Sequence, residues 1–334
     1  MASLKDVAKL AGVSLMTVSR AINNPEQLSE KTYRLVKQAI EDLNYVPNLS
    51  AQKIRGVDSA NKSIGVLSLG TATTPFSVEI ILAIEQTVRK FGWNSFLINT
   101  FEEDDSEVEK AVELLLSHRP SAIIITRNGL KKVKIPKALQ QFPIVLANCV
   151  TDDLRVASYI PHDFQGQFDA TQLVIRKGYK KPLCLYIPEN AIAAAERQTG
   201  FEAAWFAQAE PALPVQFFMP KDLNDYVCGA DPLKDILRRS SEPFDFDVII
   251  CGNDRIAMLV YQLLLSRGIR IPEDVAVIGY DNMVGVAELF LPPLTTVQLP
   301  HYEIGEQATL HLIEGRTDKQ VHHLPCPLIE RDSC

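Results

Sequence analysis

Two short stretches of helical periodicity, separated by a glycine, open this chain and constrain it more than any other feature. Apolar residues at helical spacing give the first stretch one apolar face: Leu4, Val7, Ala8 and Ala11. Gly12 then permits the backbone of a tight turn, and Ser14 is a suitable N-cap for a second helix over about residues 15–23. The pattern therefore predicts a helix-turn-helix.

The second predicted helix has an inner and an outer face. Val18 and Ile22 face inward. Polar and apolar side chains are left outside: Met16, Thr17, Ser19 and Arg20. A third helix, capped by Ser29, carries one apolar stripe that closes a three-helix head: Tyr33, Val36, Ile40 and Leu43. Such a head predicts a helix that lies in the major groove of DNA, and an ordinary helical hairpin is the alternative.

The charge distribution agrees with a head that contacts phosphate. The chain has a net charge of −7, which argues against indiscriminate coating of nucleic acid. Residues 1–56 nevertheless hold eight Lys or Arg against five acids, a net +3, so the remaining 278 residues carry −10. A small basic head on an acidic body suits a protein that contacts phosphate only through its head.

From Ser63 onward, short β-runs alternate with amphipathic helices. Seven apolar runs are predicted as strands, over residues 64–69, 94–99, 122–126, 144–147, 183–187, 248–251 and 275–280. Predicted helices fall between most of them, over residues 78–90, 106–117, 164–177, 191–207 and 254–267. Alternating strands and helices indicate parallel, doubly wound sheets. About 270 residues are too many for one such sheet, so two similar subdomains facing a cleft are expected.

Composition excludes several other classes. No apolar run approaches the roughly 20 residues of a membrane span, and the N-terminus does not resemble a signal peptide, so a cytoplasmic protein is expected. The six cysteines are scattered without a C-x-x-C pair. We therefore expect reduced thiols and no metal site or cofactor. The pair His322-His323 is interpreted as part of a solvated loop.

Polar residues follow the predicted strands, where ligands bind in open α/β sheets. These strand ends carry neutral amides, hydroxyls, carboxylates and an aromatic: Thr74-Pro75-Phe76, Thr126, Asn148, Asn253-Asp254 and Asp281-Asn282. The set suits a sugar, and the absence of a G-x-G-x-x-G motif or P-loop argues against a phosphate. Arg197 can span adjacent hydroxyls. The alternatives are that Asp281 only caps a turn and that Arg197 forms a surface ion pair.

The chain resembles the lactose-repressor (LacI/GalR) family of bacterial regulators. The resemblance rests on Asp6-Val7-Ala8, Ala11-Gly12-Val13-Ser14 and Thr17-Val18-Ser19-Arg20, and it continues to the end of the chain. It implies DNA contacts by Leu15, Met16, Thr17, Ser19, Arg20 and Asn23, with Ile54 wedged into the minor groove. It implies effector contacts by Phe76, Asn148, Arg197, Asn253 and Asp281. His301 replaces a residue that is often an aromatic effector contact in the family.

The combined prediction has three parts. Residues 1–47 form the all-α DNA-binding domain, residues 48–62 form a hinge helix and linker, and residues 63–334 form the effector-binding and dimerisation domain. That domain is α/β, with two doubly wound parallel-sheet subdomains of periplasmic-binding-protein type. Its interleaved lobes are expected over about 63–160 plus 290–320 and about 161–289 plus 321–334. Arg197 and Asp281 are expected in different lobes, so that a bound sugar would bridge them.

The expected function is that of a homodimeric repressor of a sugar-utilisation operon. A sugar inducer would release it from a near-palindromic operator, and the absence of a C-terminal leucine heptad favours a dimer over a tetramer. Three stretches, residues 72–77, 91–99 and 290–296, resemble a branch of the family that responds to sucrose. The alternatives are a regulator with a purine-like corepressor, a cytoplasmic sugar-processing enzyme and a periplasmic transport receptor.

Overall fold

The computed structural model describes residues 2–46, 62–70, 75–101, 104–220, 226–238 and 244–334. The chain divides into two compact units, Met1–Ser63 and Ile64–Cys334. No helix among the described residues is long and apolar enough to cross a membrane. The predicted hinge helix falls on residues outside those ranges.

The described part of the first unit contains three α-helices, as the periodicity predicted. They are α1 (Leu4–Ala11), α2 (Leu15–Asn23) and α3 (Glu30–Asp42). The Ser14 hydroxyl accepts a hydrogen bond from the Thr17 amide at 3.1 Å, and Ser29 caps α3 in the same way. Gly12 has a φ of 65°, a left-handed conformation that glycine adopts without strain. Val7, Val18 and Val36 are fully buried at the centre of this unit.

The second unit contains two six-stranded sheets. The first sheet has the order β11-β5-β4-β3-β1-β2. Its strands are β1 (Ser63–Leu69), β2 (Asn94–Thr100), β3 (Ala122–Lys132), β4 (Ile144–Val150), β5 (Ala157–Pro161) and β11 (Val321–Leu324). The second sheet has the order β12-β10-β9-β8-β6-β7. Its strands are β6 (Pro182–Tyr186), β7 (Val215–Phe218), β8 (Val248–Cys251), β9 (Ala276–Asp281), β10 (Thr295–Gln298) and β12 (Leu328–Ile329).

Within the residue ranges given above, seven α-helices accompany these sheets. They are α4 (Pro75–Lys90), α5 (Asp105–Ser117), α6 (Asp163–Arg176), α7 (Ile192–Trp205), α8 (Asp231–Arg238), α9 (Asp254–Leu265) and α10 (His301–Ile313). Each sheet has an apolar cluster on both faces, so each is a doubly wound layer buried between helices. The antiparallel pair β10–β12 is a departure from the purely parallel sheets that the alternation predicted.

The chain crosses between the two sheets three times. It leaves the first sheet after Pro161, returns between β10 and α10, and leaves again between β11 and β12. The sequence placed the second crossing near residue 290 and assigned 321–334 to the second lobe. The second crossing lies later because β10 pairs with β9 in the second sheet, and β11 pairs with β5 in the first. His322 and His323 therefore belong to a strand and not to a loop.

Helices α6 and α7 approach each other closely at Gly200. A Cβ atom added at this glycine would lie 2.3 Å from the carbonyl oxygen of Phe164, which is backbone and cannot rotate away. Trp205, one turn further along α7, is almost fully buried in the same lobe, as its position on the predicted helix indicated. The absence of a side chain at Gly200 therefore sets the distance between the two helices.

Gly200→Ala is expected to lower the free energy of unfolding of the second unit by about 1–3 kcal/mol, because the added methyl group forces α6 and α7 apart. Urea unfolding followed by tryptophan fluorescence measures the effect. Ala195→Ser is the matched control, because it adds one heavy atom to the same helix at an exposed position. Equal stabilities of the two variants would contradict a close helix contact at Gly200.

Candidate functional site

Helix α2 presents the outer face that the sequence predicted for DNA contact. Met16 and Leu15 are 64% and 43% exposed although both are large and apolar, and Arg20 is also exposed. Val18 on the opposite face is completely buried. The exposed apolar pair on a small basic unit is suited to contact with thymine methyl groups, and the Arg20 guanidinium to hydrogen bonding with a guanine edge.

Of the remaining residues predicted to contact DNA, the structure describes the side chains of Thr17 and Ser19 but not those of Asn23 and Ile54. The Thr17 hydroxyl lies 2.9 Å from that of Ser14, so Thr17 also supports the N-terminus of α2. Ser19 is half-buried on the same helix. Asn23 is the last residue of α2, and its side chain lies outside the described set, as does the whole of Ile54.

Arg197 is the centre of the second candidate site, in the second unit. Only 4% of this residue is exposed. Its Nε donates to Asp163 Oδ1 at 2.7 Å, and its Nη1 donates to the Gly252 carbonyl at 2.5 Å. Its guanidinium carbon lies 3.5 Å from the centre of the Tyr280 ring. A salt bridge, a backbone hydrogen bond and a cation–π contact thus fix one charged group in the interior.

The electrostatics of Arg197 explain how a charge is tolerated there. Burial alone would lower the pKa of Arg197, but the adjacent Asp163 carboxylate raises that pKa above its ordinary value. The carboxylate of Asp163 is itself almost inaccessible, and its second oxygen has no hydrogen-bond partner among the described residues. The pair is therefore a buried salt bridge and not the surface ion pair considered as an alternative.

Asp281 and Asn253 lie at the strand ends beside Arg197. Asn253 directly follows Gly252, the Arg197 partner, and its Oδ1 accepts from the Ile256 amide at 2.9 Å, capping α9. Asp281 ends β9 next to Tyr280, with a strained φ of 112°. Burial raises the pKa of Asp281 well above its ordinary value, although Arg197 opposes that rise. The three predicted effector residues of this lobe are thus brought together.

Asp254 forms hydrogen bonds with the segments next to Asp281. Its carboxylate accepts from the Met283 amide and from the Thr296 hydroxyl, both at 2.7 Å. These contacts join the start of α9 to the loop after β9 and to β10. Burial raises the pKa of Asp254 to about 6, although both hydrogen bonds oppose the rise. Asp254 therefore positions the loop that follows Asp281.

The first lobe contributes Asn148 and Phe76 to the predicted set. Asn148 lies within β4, near its carboxyl end, in a left-handed conformation with a φ of 59°, and it is buried. Phe76 lies in the first turn of α4, and its side chain is outside the described set. Helix α7, which carries Arg197, approaches β3 of the first sheet, so the two lobes meet near this site.

His301 lies at the second crossing between the lobes, at the start of α10. It is 6% exposed. Burial, and secondarily the charge of Arg197, lower the pKa of His301 to about 4, so the imidazole is neutral at pH 7. A neutral imidazole can both donate and accept a hydrogen bond, which an aromatic hydrocarbon ring cannot.

One expectation about the site is wrong. Arg197 and Asp281 were predicted in different lobes, but α7 packs on α6 in the second lobe and β9 belongs to the second sheet. The charge of Arg197 acts directly on Asp281, so the two are neighbours within one lobe. The expectation also disagreed with the predicted lobe bounds, because the segment of about 161–289 contains both residues.

Asp163 and Tyr280 are parts of the site that the sequence did not indicate. Tyr280 immediately precedes Asp281 and was interpreted only as the end of a strand. Asp163 begins α6 directly after the first crossing, and the Tyr280 hydroxyl donates to its carbonyl oxygen at 3.3 Å. The position of Asp163, a charged residue just after the crossing predicted near residue 160, could have indicated its role.

Both units of the chain match models of known protein families. Residues 3–48 match the family model of bacterial regulatory proteins of the lacI family. Residues 61–332 match the model of periplasmic binding proteins and the sugar-binding domain of the LacI family. The chain is 52% identical to the sucrose operon repressor of Escherichia coli, over 100% of both chains. It is 30% identical to the transcriptional repressor PurR of Aliivibrio fischeri, over 96% of this chain and 93% of PurR.

A solved structure has the same fold. The Lac repressor bound to ONPG in its repressed state superimposes with a TM-score of 0.83 and 24% identity, covering 100% of this chain and 99% of that one. The match extends over the helical head and both sheets, in agreement with the predicted fold class.

Asp163→Asn is expected to destabilise the second unit by about 3–5 kcal/mol, because it leaves the Arg197 charge buried without its partner. The double variant Asp163→Asn/Arg197→Met should be more stable than Asp163→Asn alone. Denaturant unfolding of Asp163→Asn, Arg197→Met and the double variant, each compared with the wild type, measures the coupling. Asp274→Asn breaks an exposed pair with Arg270 and is the control, with an expected cost of about 0–1 kcal/mol. Equal losses for Asp163→Asn and Asp274→Asn would contradict the buried pair.

Proposed function

This chain belongs to the LacI family of bacterial regulatory proteins, and from that premise we propose that it represses a sugar-utilisation operon and is released by sucrose or a related sugar. The observation that carries the proposal is the 52% identity to the sucrose operon repressor over the full length of both chains. The identity covers the DNA-binding head and the effector-binding body together. We infer a cytoplasmic homodimer that binds a near-palindromic operator.

The head supports specific recognition of DNA. Arg20 is exposed on α2 and can pair bidentately with a guanine, while Leu15 and Met16 offer apolar contact to thymine methyl groups. Thr17, Ser19 and Asn23 belong to the same proposed surface. We assign to Ile54 the insertion of an apolar side chain into the minor groove, which unstacks a base step and bends the operator.

The body supports the binding of a polyhydroxylated ligand. Nε and Nη1 of Arg197 are already engaged, and no partner contacts Nη2 among the residues that the structure describes. Asp281, whose carboxyl group interacts with the charge of Arg197, is only partly buried. A donor and an acceptor fixed side by side match two adjacent sugar hydroxyls. Asn253 and Asn148 supply further amide groups, and Phe76 an aromatic ring, in the proposed pocket.

The corrected lobe assignment changes how the sugar would act as a switch. Arg197, Asn253 and Asp281 hold the ligand on the second lobe, so closure depends on contacts from the first lobe, which we assign to Phe76 and Asn148. A ligand shifts the equilibrium only through its different affinities for the open and closed lobes. We propose that lobe closure alters the separation of the two hinge segments in the dimer and so weakens operator binding.

Arg20→Ala is expected to weaken operator binding by about tenfold or more at fixed salt, because a bidentate Arg–guanine contact contributes roughly 1–3 kcal/mol of discrimination. Fluorescence anisotropy with the DNA upstream of the gene and with random DNA measures both affinities. Arg34→Ala removes the same charge from the same unit and is the control. Retained discrimination in the Arg20 variant would overturn the assignment of α2 to base recognition.

Asp281→Asn is expected to leave operator binding intact but to weaken the response to sugar by about tenfold or more, because one acceptor for a hydroxyl is lost. Asparagine also tolerates the positive φ at this position. Operator binding titrated with sucrose, fructose, glucose and a purine base provides the measurement, with Asp274→Asn as control. Release of the wild type by none of the sugars would contradict a sugar inducer. Tighter operator binding with the purine would indicate a corepressor.

A further inference from the structure

Three potential metal ligands meet at the edge of the first sheet, outside the proposed sugar pocket. His311 lies in the last turn of α10, Asp318 in the following loop and His322 in β11. Their ligand atoms all lie within 4.8 Å of one another. This is the one group of three or more such residues at that spacing in the described part of the chain.

The carboxylate of Asp318 lies between the two imidazoles. Its Oδ1 is 2.5 Å from His322 Nε2, and its Oδ2 is 3.9 Å from His311 Nδ1. Zinc binds imidazole nitrogen at about 2.0–2.1 Å and carboxylate oxygen at about 2.0–2.2 Å. Ligands around such an ion therefore stand roughly 3–3.5 Å apart, so small side-chain rotations convert this arrangement into a coordination site.

Neighbouring residues hold the rings in place. The Tyr159 ring stacks on His322 with centroids 4.5 Å apart, and its hydroxyl lies 3.1 Å from His311 Nδ1. Arg316 Nη1 donates to the same hydroxyl at 3.2 Å. An ion on His311 Nδ1 would displace the Tyr159 hydroxyl, which retains Arg316 as a partner. The charge of Arg316 opposes a cation, but Glu314 lies 2.8 Å from its Nε and offsets that charge.

The cluster is accessible from solvent. A pocket of about 510 Å³ is lined by His311 and Asp318 and extends to Gln140 and Phe142. Alternation along β11 directs His322 and His323 to opposite faces, and the His323 ring instead packs near His162, with centroids 5.2 Å apart. The adjacent pair in the sequence is therefore not a pair of ligands, and His322 is combined with His311 through the fold.

We propose that His311, Asp318 and His322 bind one divalent transition-metal ion, of the class of Zn²⁺, Co²⁺ or Ni²⁺. Two imidazoles with one carboxylate are a ligand set that suits these ions and leaves further coordination positions to solvent. The ion joins the end of α10 to β11, the two elements of the chain between the second and third crossings. It thereby fastens the edge strand of the first lobe, and this role is independent of the identity of the sugar.

The test uses the untagged full-length protein after treatment with a chelator. Titration with Co²⁺, followed by visible absorption, and with Zn²⁺, followed by calorimetry, is expected to show one site per chain and a rise in Tm. His322→Gln and Asp318→Asn should each weaken the affinity at least tenfold, and His323→Gln should bind like the wild type. His311 is left unaltered because its burial makes a folding defect the expected result of substitution.

Three outcomes would overturn the proposal. One is the absence of saturable binding up to millimolar metal in the wild type. The second is unchanged affinity in both His322→Gln and Asp318→Asn, which would place any bound ion elsewhere. The third is an equal loss in His323→Gln, which would indicate general binding by surface imidazoles. Circular dichroism of each variant establishes that it is folded, so that lost binding reports on the ligands.

Discussion

The buried pair of Arg197 and Asp163 is the interaction on which the effector-binding body depends. Asp163 starts the helix that follows the first crossing between the sheets, and Arg197 reaches from the next helix to the end of β8 and to the face of Tyr280. One guanidinium thus joins two helices and two strand ends. Because a buried charge without its partner is costly, these four elements have to keep their relative positions. The proposed ligand groups of the second lobe are built on that frame.

The helical head could be predicted from sequence almost completely, because its determinants are local. Ser14 and Ser29 cap helices where expected, and Gly12 has the left-handed turn conformation. The long apolar runs of the body were recognised for the same reason. Strands such as β7 and β11 were not, because four residues that alternate in exposure give too little periodicity. Their pairing is decided by neighbours distant in the chain.

The candidate site could be predicted in part, through the rule that ligands bind beyond the carboxyl ends of parallel strands. The rule identified Asn148, Asn253 and Asp281, and the structure places the last two beside Arg197. It could not identify Asp163 as the partner of Arg197, because that contact depends on the path of the chain between the sheets. His311 and His322 were likewise beyond reach, since only the parallel pairing of β5 with β11 brings them together with Tyr159.

The three crossings have a consequence for how this protein is made. The first sheet contains β11 and the second contains β10 and β12, so neither sheet is complete until residues 321–329 have been synthesised. The interior contacts of Ser333, whose hydroxyl donates to the Val277 carbonyl at 2.6 Å, form later still. On the ribosome, the head can fold early from its own local contacts. Both lobes remain incomplete until the last strands of their sheets have been synthesised. A nascent chain can therefore carry a folded DNA-binding unit well before it has a body able to respond to a ligand.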